Sequence, residues 1–163
     1  MMVALSVAFM TLGYFVETLD LTVAAFASLV VAVVYVEIGS PYTYLVWICT
    51  SVLSLIFFPG SVLSCEYFLV FGIYPILKGF IEKLPRVFWI LVKLLYINLI
   101  LIVLMLVMEK LLLIPFFTVG ELWMKVGIWL LINVAFVAYD LFITVIMRLY
   151  MAKYRKVFAK FLK

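Results

Sequence analysis

Histidine is missing from this chain of 163 residues. Its absence removes the commonest metal ligand and the usual catalytic base near neutral pH. Charge is scarce as well: 12% of residues are Asp, Glu, Lys or Arg, against about a quarter in a soluble globular chain. The two cysteines, Cys49 and Cys65, sit inside apolar runs and form no CxxC pair, which fits small buried hydrophobes better than a redox or metal site. GxSxG, HExxH, a Walker loop and a carboxylate pair on one helix are all lacking, so no catalytic constellation is visible. These absences lead to an expectation of no enzyme activity, no metal and no cofactor. The segment 1–16 also lacks a basic start and an A-x-A-like site, so it is read as a retained helix rather than a signal peptide.

What is present is hydrocarbon. Hydrophobic residues make up 71% of the chain, and the mean hydropathy is +1.41. No soluble domain fits beside such runs. Helices are the default in lipid because each satisfies its own backbone polar groups. A barrel would show short alternating segments, whereas these runs are continuously apolar. The fold class expected is all-α, a polytopic membrane protein.

Polar punctuation divides the chain into six candidate helices, at 2–16, 21–38, 42–58, 62–81, 87 to about 114, and 121 to about 150. A crossing needs about 20 apolar residues, so the first is short and the last two are long enough to tilt. Orientation follows from lysine and arginine in short connections. Lys83 and Arg86 join the fourth and fifth helices, and Lys153, Arg155, Lys156, Lys160 and Lys163 end the chain. Six crossings put both on the side of the N-terminus. The expectation is a six-helix transmembrane domain over 1–152, a basic cytoplasmic tail over 153–163, and a cell-membrane location with both termini cytoplasmic. Anchoring at anionic headgroups explains the tail without nucleic acid.

Ionisable residues inside lipid are costly and usually find partners. Lys93 and Asp140 fall at similar depth on antiparallel helices, which predicts an ion pair, with Lys78 as an alternative partner for Asp140. Such a pair serves as a brace or as a coupling switch. Gly72 and Pro75 interrupt the fourth helix, either as a bend tolerated in lipid or as a hinge. Toward the outer side, Glu66, Tyr67, Asn98, Trp123, Lys125 and Asn133 are candidates for an outward-facing small-molecule pocket. Trp123 has a competing reading in the interfacial aromatic belt, and Glu66 in snorkelling to water. Ala4 and Ala8, and separately Ala24, Ser28 and Ala32, form small-residue stripes that let helices approach closely. Each serves packing within the chain or docking of a partner.

With its six candidate helices, ALSVA at 4–8, LDLTVAAFASLVVA after a short acidic loop, a GSPY connection and GIYPILK in the fourth helix, the chain resembles the substrate-binding S components of energy-coupling-factor transporters. The resemblance covers about residues 1–150. It implies an S-component-like bundle that takes up a vitamin or other micronutrient, docked through Ala4 and Ala8 on a transmembrane coupling subunit with two cytoplasmic ATPases. The loop at 17–20 is short for a lid, and no substrate-specific signature is recognisable. A membrane scaffold, similar in size to the rod-shape-determining subunit of bacterial elongation complexes, is the alternative from a different class.

Overall fold

The computed structural model describes residues 1–110 and 122–154, and every element in that range is helical. In chain order these are α1 (Met2–Phe15), α2 (Asp20–Glu37), α3 (Ser40–Phe57), α4 (Val62–Glu66), α5 (Tyr74–Ile81), α6 (Arg86–Lys110) and α7 (Leu122–Leu149). A 3-10 turn at Glu17–Leu19 links α1 to α2, and π-helical turns occupy Tyr67–Phe71 and Tyr150–Tyr154. The expected end of the fifth helix near Ile114, Glu121, and the tail cations from Arg155 onward lie outside the described residues.

Five segments are long and apolar enough to cross a bilayer: Asp20–Glu37, Ser40–Phe57, Val62–Ile81, Phe88–Lys110 and Trp123–Lys153. The sixth expected crossing, α1, has 14 residues and is therefore about 21 Å long, short of a hydrocarbon core of ~30 Å. Large apolar side chains such as Phe15, Ile56, Ile90, Leu95 and Leu131 are exposed. Water does not accommodate continuous apolar surface of this kind, whereas lipid does. The chain is an all-helical bundle of long apolar helices, compatible with a membrane.

α2 and the segment 62–81 form the centre. They are 39% and 50% buried, against 22% for α6 and 17% for α7, which therefore lie at the periphery. Ala24, Ala27 and Val31 of α2 pack with Met10, Leu63, Tyr67 and Ile76. Ala32 faces a second cluster containing Tyr74, Ile97, Leu101, Phe136 and Tyr139. The Ala24, Ser28 and Ala32 stripe is thus buried inside the chain, where its small side chains allow close helix approach. Ala4 and Ala8 are exposed instead, because α1 turns Ser6, Met10 and Gly13 inward. Between α2 and α3, Gly39 adopts a φ of +105°, a conformation that a side chain would oppose. Pro41 then occupies the first turn of α3, where its missing N–H is no loss.

The sequence predicts one helix over 62–81, bent at Pro75. The structure divides it into α4, the π turn and α5. Pro75 has no N–H to offer the carbonyl of Phe71, and the π turn above it closes through the Gly72 N–H donating to Tyr67 O at 2.7 Å. Carbonyls at the break are met by donors from two other helices. Trp47 Nε1 of α3 donates to Phe68 O at 3.2 Å. The Tyr96 hydroxyl of α6 lies 3.1 Å from Leu69 O and 3.4 Å from Val70 O, whereas the Tyr139 hydroxyl of α7, 3.4 Å from Phe71 O, donates its proton to Ser28 Oγ of α2 at 2.6 Å. Gly72 makes room for the first of these contacts: a Cβ there would sit 2.5 Å from Trp47 Cδ1.

Candidate functional site: a charged cavity between α5, α6 and α7

Helical spacing builds the site. Residues four apart share a face, so Tyr74, Lys78 and Glu82 form a polar stripe on α5 and its C-terminal cap. Asp140, Thr144 and Arg148 form a matching stripe on α7, and α6 contributes Trp89 and Lys93. The stripes meet at Asp140. Its Oδ1 accepts hydrogen bonds from the Tyr74 hydroxyl, at 2.6 Å, and from Lys78 Nζ; its Oδ2 accepts from Lys93 Nζ at 2.7 Å. Tyr74 is fully buried and Lys78 is 6% exposed.

Lys78 has all of its donors engaged. Nζ donates to Asp140 Oδ1, to the main-chain oxygen of Asp140 at 3.0 Å and to Thr144 Oγ1 at 2.7 Å. An ammonium has three protons, so none is left over. Glu82 lies 3.5 Å away and adds charge balance. Thr144 in turn donates to Asp140 O at 2.8 Å. Lys93 differs, because Asp140 is its one hydrogen-bond partner among the described residues, beside a looser contact with the Trp89 ring at 5.8 Å. Arg148 is exposed and has no ion-pair partner among the described residues.

Apart from the buried Tyr74, these groups line a cavity of about 510 Å³ with otherwise mostly apolar walls, including Pro75, Ile90, Phe136 and Ile143. That volume is within the usual range for a small-molecule site. The cations Lys78, Lys93 and Arg148 exceed the carboxylates Glu82 and Asp140 by one. Chemically, the cavity suits an acidic group attached to an apolar body. It offers no nucleophile poised beside a base, and no group of three or more metal-ligating residues exists among the described residues.

The sequence-predicted residues are placed as follows. Lys93 and Lys78 both reach Asp140, so the two alternatives for its partner coexist. Asn98 and Asn133 meet each other: Asn98 Nδ2 donates to Asn133 Oδ1 at 3.0 Å, and Trp129 Nε1 donates to Asn98 Oδ1 at 2.7 Å. Their amides clamp α6 to α7 rather than face an open pocket. Tyr67 is buried in the core, near the hydroxyls of Ser6 and Thr50. Glu66 is half-buried within electrostatic reach of Asp20, Lys125 is half-buried, and Trp123 is 82% exposed.

Neither cavity described in this bundle is lined by Glu66, Tyr67, Asn98, Trp123 or Lys125; Asn133 alone borders the second. The charged cavity lies at the other end of α7 from Trp123, where the Lys83 connection also sits. Gly72 and Pro75 flank the break, and Pro75 also lines the cavity. Sequence reasoning missed Tyr74, Trp89, Thr144 and Arg148 as neighbours of the ion pair. The signal available was the matching four-residue spacing on the two helices. Comparison of the chain with known protein families, characterised proteins and solved structures gives no match.

Proposed function

We propose that this chain is a membrane-embedded binding subunit for a small acidic amphiphile, held in the cavity between α5, α6 and α7. One observation carries the reading: apolar walls enclose a cationic excess in which Lys93 and Arg148 retain donors. Lys78 and Asp140 act as the braced floor that fixes Lys93, and the ligand's acidic group bonds to Lys93 and Arg148. The experiment is thermal unfolding of the purified protein in neutral detergent with a panel of soluble carboxylates and phosphates bearing short apolar groups. A bound ligand raises Tm as its concentration exceeds Kd, and Arg148→Gln diminishes the rise. No shift with any acid overturns the reading.

A second reading is favoured by a separate observation, the exposure of Ala4 and Ala8 on the open face of α1. Exposed small residues suit close docking of a partner helix in lipid. On this reading the chain is the substrate-binding subunit of a micronutrient uptake system. The partner is a transmembrane coupling subunit carrying two ATPases, as in the energy-coupling-factor transporters that the sequence resembles. Co-purification with such a subunit, abolished by Ala4→Leu with Ala8→Leu, tests it; unchanged complex yield rejects it. The scaffold alternative predicts docking on the same face with no ligand-dependent Tm.

A further inference from the structure

A second, shallower cavity of about 400 Å³ runs along the outside of α6 and α7. Leu94, Val137 and Leu141 line both this groove and the charged cavity, so the two adjoin. On α7 the groove follows one helix face through Leu130, Val134, Val137 and Leu141. Its one polar residue, Asn133, has its amide engaged with Asn98 and the Trp129 carbonyl. From Leu130 to Leu141 the helix rises roughly 16 Å, about half of a ~30 Å hydrocarbon core and so the depth of one leaflet.

We infer that the cavity and groove together hold one anionic phospholipid drawn from the bilayer. Its phosphate sits between Lys93 and Arg148, its glycerol lies against Trp89, and an acyl chain lies in the groove. Charge complementarity selects this occupant. The cationic excess of the cavity stands at one end of the groove, and the groove's own lining is apolar apart from the engaged Asn133. A soluble acid would fill the cavity and leave the groove to bulk lipid, whereas a leaflet-length chain bearing a phosphate matches both. Access is lateral, from the exposed side of α7, the least buried of the long helices. This inference rests on the reading of the cavity as a binding site and names the source of its ligand.

The test uses the full-length protein in phosphatidylcholine vesicles containing trace phosphatidic acid or trace phosphatidylcholine, each with a diazirine at the same chain position. Photolysis followed by peptide mapping should place the phosphatidic acid adducts on residues 130–141 and at Leu94, several-fold above phosphatidylcholine. Arg148→Gln should lower that preference by about fivefold, the contribution of one cation near a membrane surface. Val137→Phe, which fills the groove, should reduce labelling by both lipids. Equal labelling by the two lipids, or adducts elsewhere that Arg148→Gln leaves unchanged, overturns the inference. Soluble acids that raise Tm in detergent without any phosphatidic acid preference would preserve the cavity as a site while removing the lipid. Failure of both removes both.

Discussion

At Asp140 one carboxylate bridges two lysines, Lys78, which also has Glu82 3.5 Å away, and Lys93, and its removal is the most damaging single change expected. Asp140→Asn leaves Lys78 and Lys93 without their shared counter-charge, and breaking a buried ion pair in this way costs about 3–5 kcal/mol. Tyr74→Phe removes one neutral donor while both lysines remain. The expected loss is only ~0.6 kcal/mol, at most ~1.7, as for other hydrogen bonds within membranes. Thermal unfolding in a fixed detergent compares them, and equal costs would mean that water already solvates the cluster. The Lys93–Asp140 contact was legible because ionisable residues stand out in hydrocarbon and helix order sets their depth. Rotation about each helix axis was not legible. Where every face is apolar, nothing in the sequence tells inward from outward, so Asn98 and Asn133 read as ligand donors although they bond to each other.

Among the elements, the broken segment 62–81 has the most specific requirements. Gly72→Ala would press a methyl against Trp47 and, at 2.9 Å, against the Tyr67 carbonyl, and overpacking of this kind costs about 1–3 kcal/mol. Adding Trp47→Leu should restore only part of the stability, since the carbonyl contact persists; full recovery in unfolding experiments would contradict this geometry. Pro75→Ala returns an N–H toward Phe71 O, whose neighbouring hydroxyl, Tyr139, gives its proton to Ser28 Oγ at 2.6 Å, so Tyr139→Phe should cost about as much in that background as alone. A double-mutant cycle should show coupling below about 0.5 kcal/mol, and a larger coupling would show that the Tyr139 hydroxyl serves Phe71 O instead. Side chains from α3 and α6 bond to carbonyls at the break. The boundaries of α2 and α3 were readable from the GSP and PGS punctuation. The π turn was not, because a proline reports the lost donor but not how far upstream the helix must loosen.

For the whole molecule, the C-terminal ends of α5 and α7 lie together, which puts the Lys83 connection and Lys153 at one end of the bundle. With Cys49 and Cys65 replaced by alanine, Lys83→Cys and Lys153→Cys should both resist an impermeant maleimide in intact cells and both react once the membrane is permeabilised. Reaction from opposite faces would break the topology. The composition alone announced a bundle of apolar helices, whereas the cavity depends on four helices, α2, α5, α6 and α7, spread along most of the chain, and could only be seen in three dimensions. That distance also sets an order of assembly. As the chain leaves the ribosome, Lys78 and the loosened carbonyls at 69–71 come out well before Tyr96, and Tyr139 and Asp140 arrive among the last residues. Until then Lys78 has only Glu82, 3.5 Å away, as a counter-charge, and a lone ammonium costs about 2.5–3.5 kcal/mol at the centre of a membrane helix and less toward its end. The half-made protein must therefore keep this segment wet, or sheltered by the insertion machinery, until α7 is delivered.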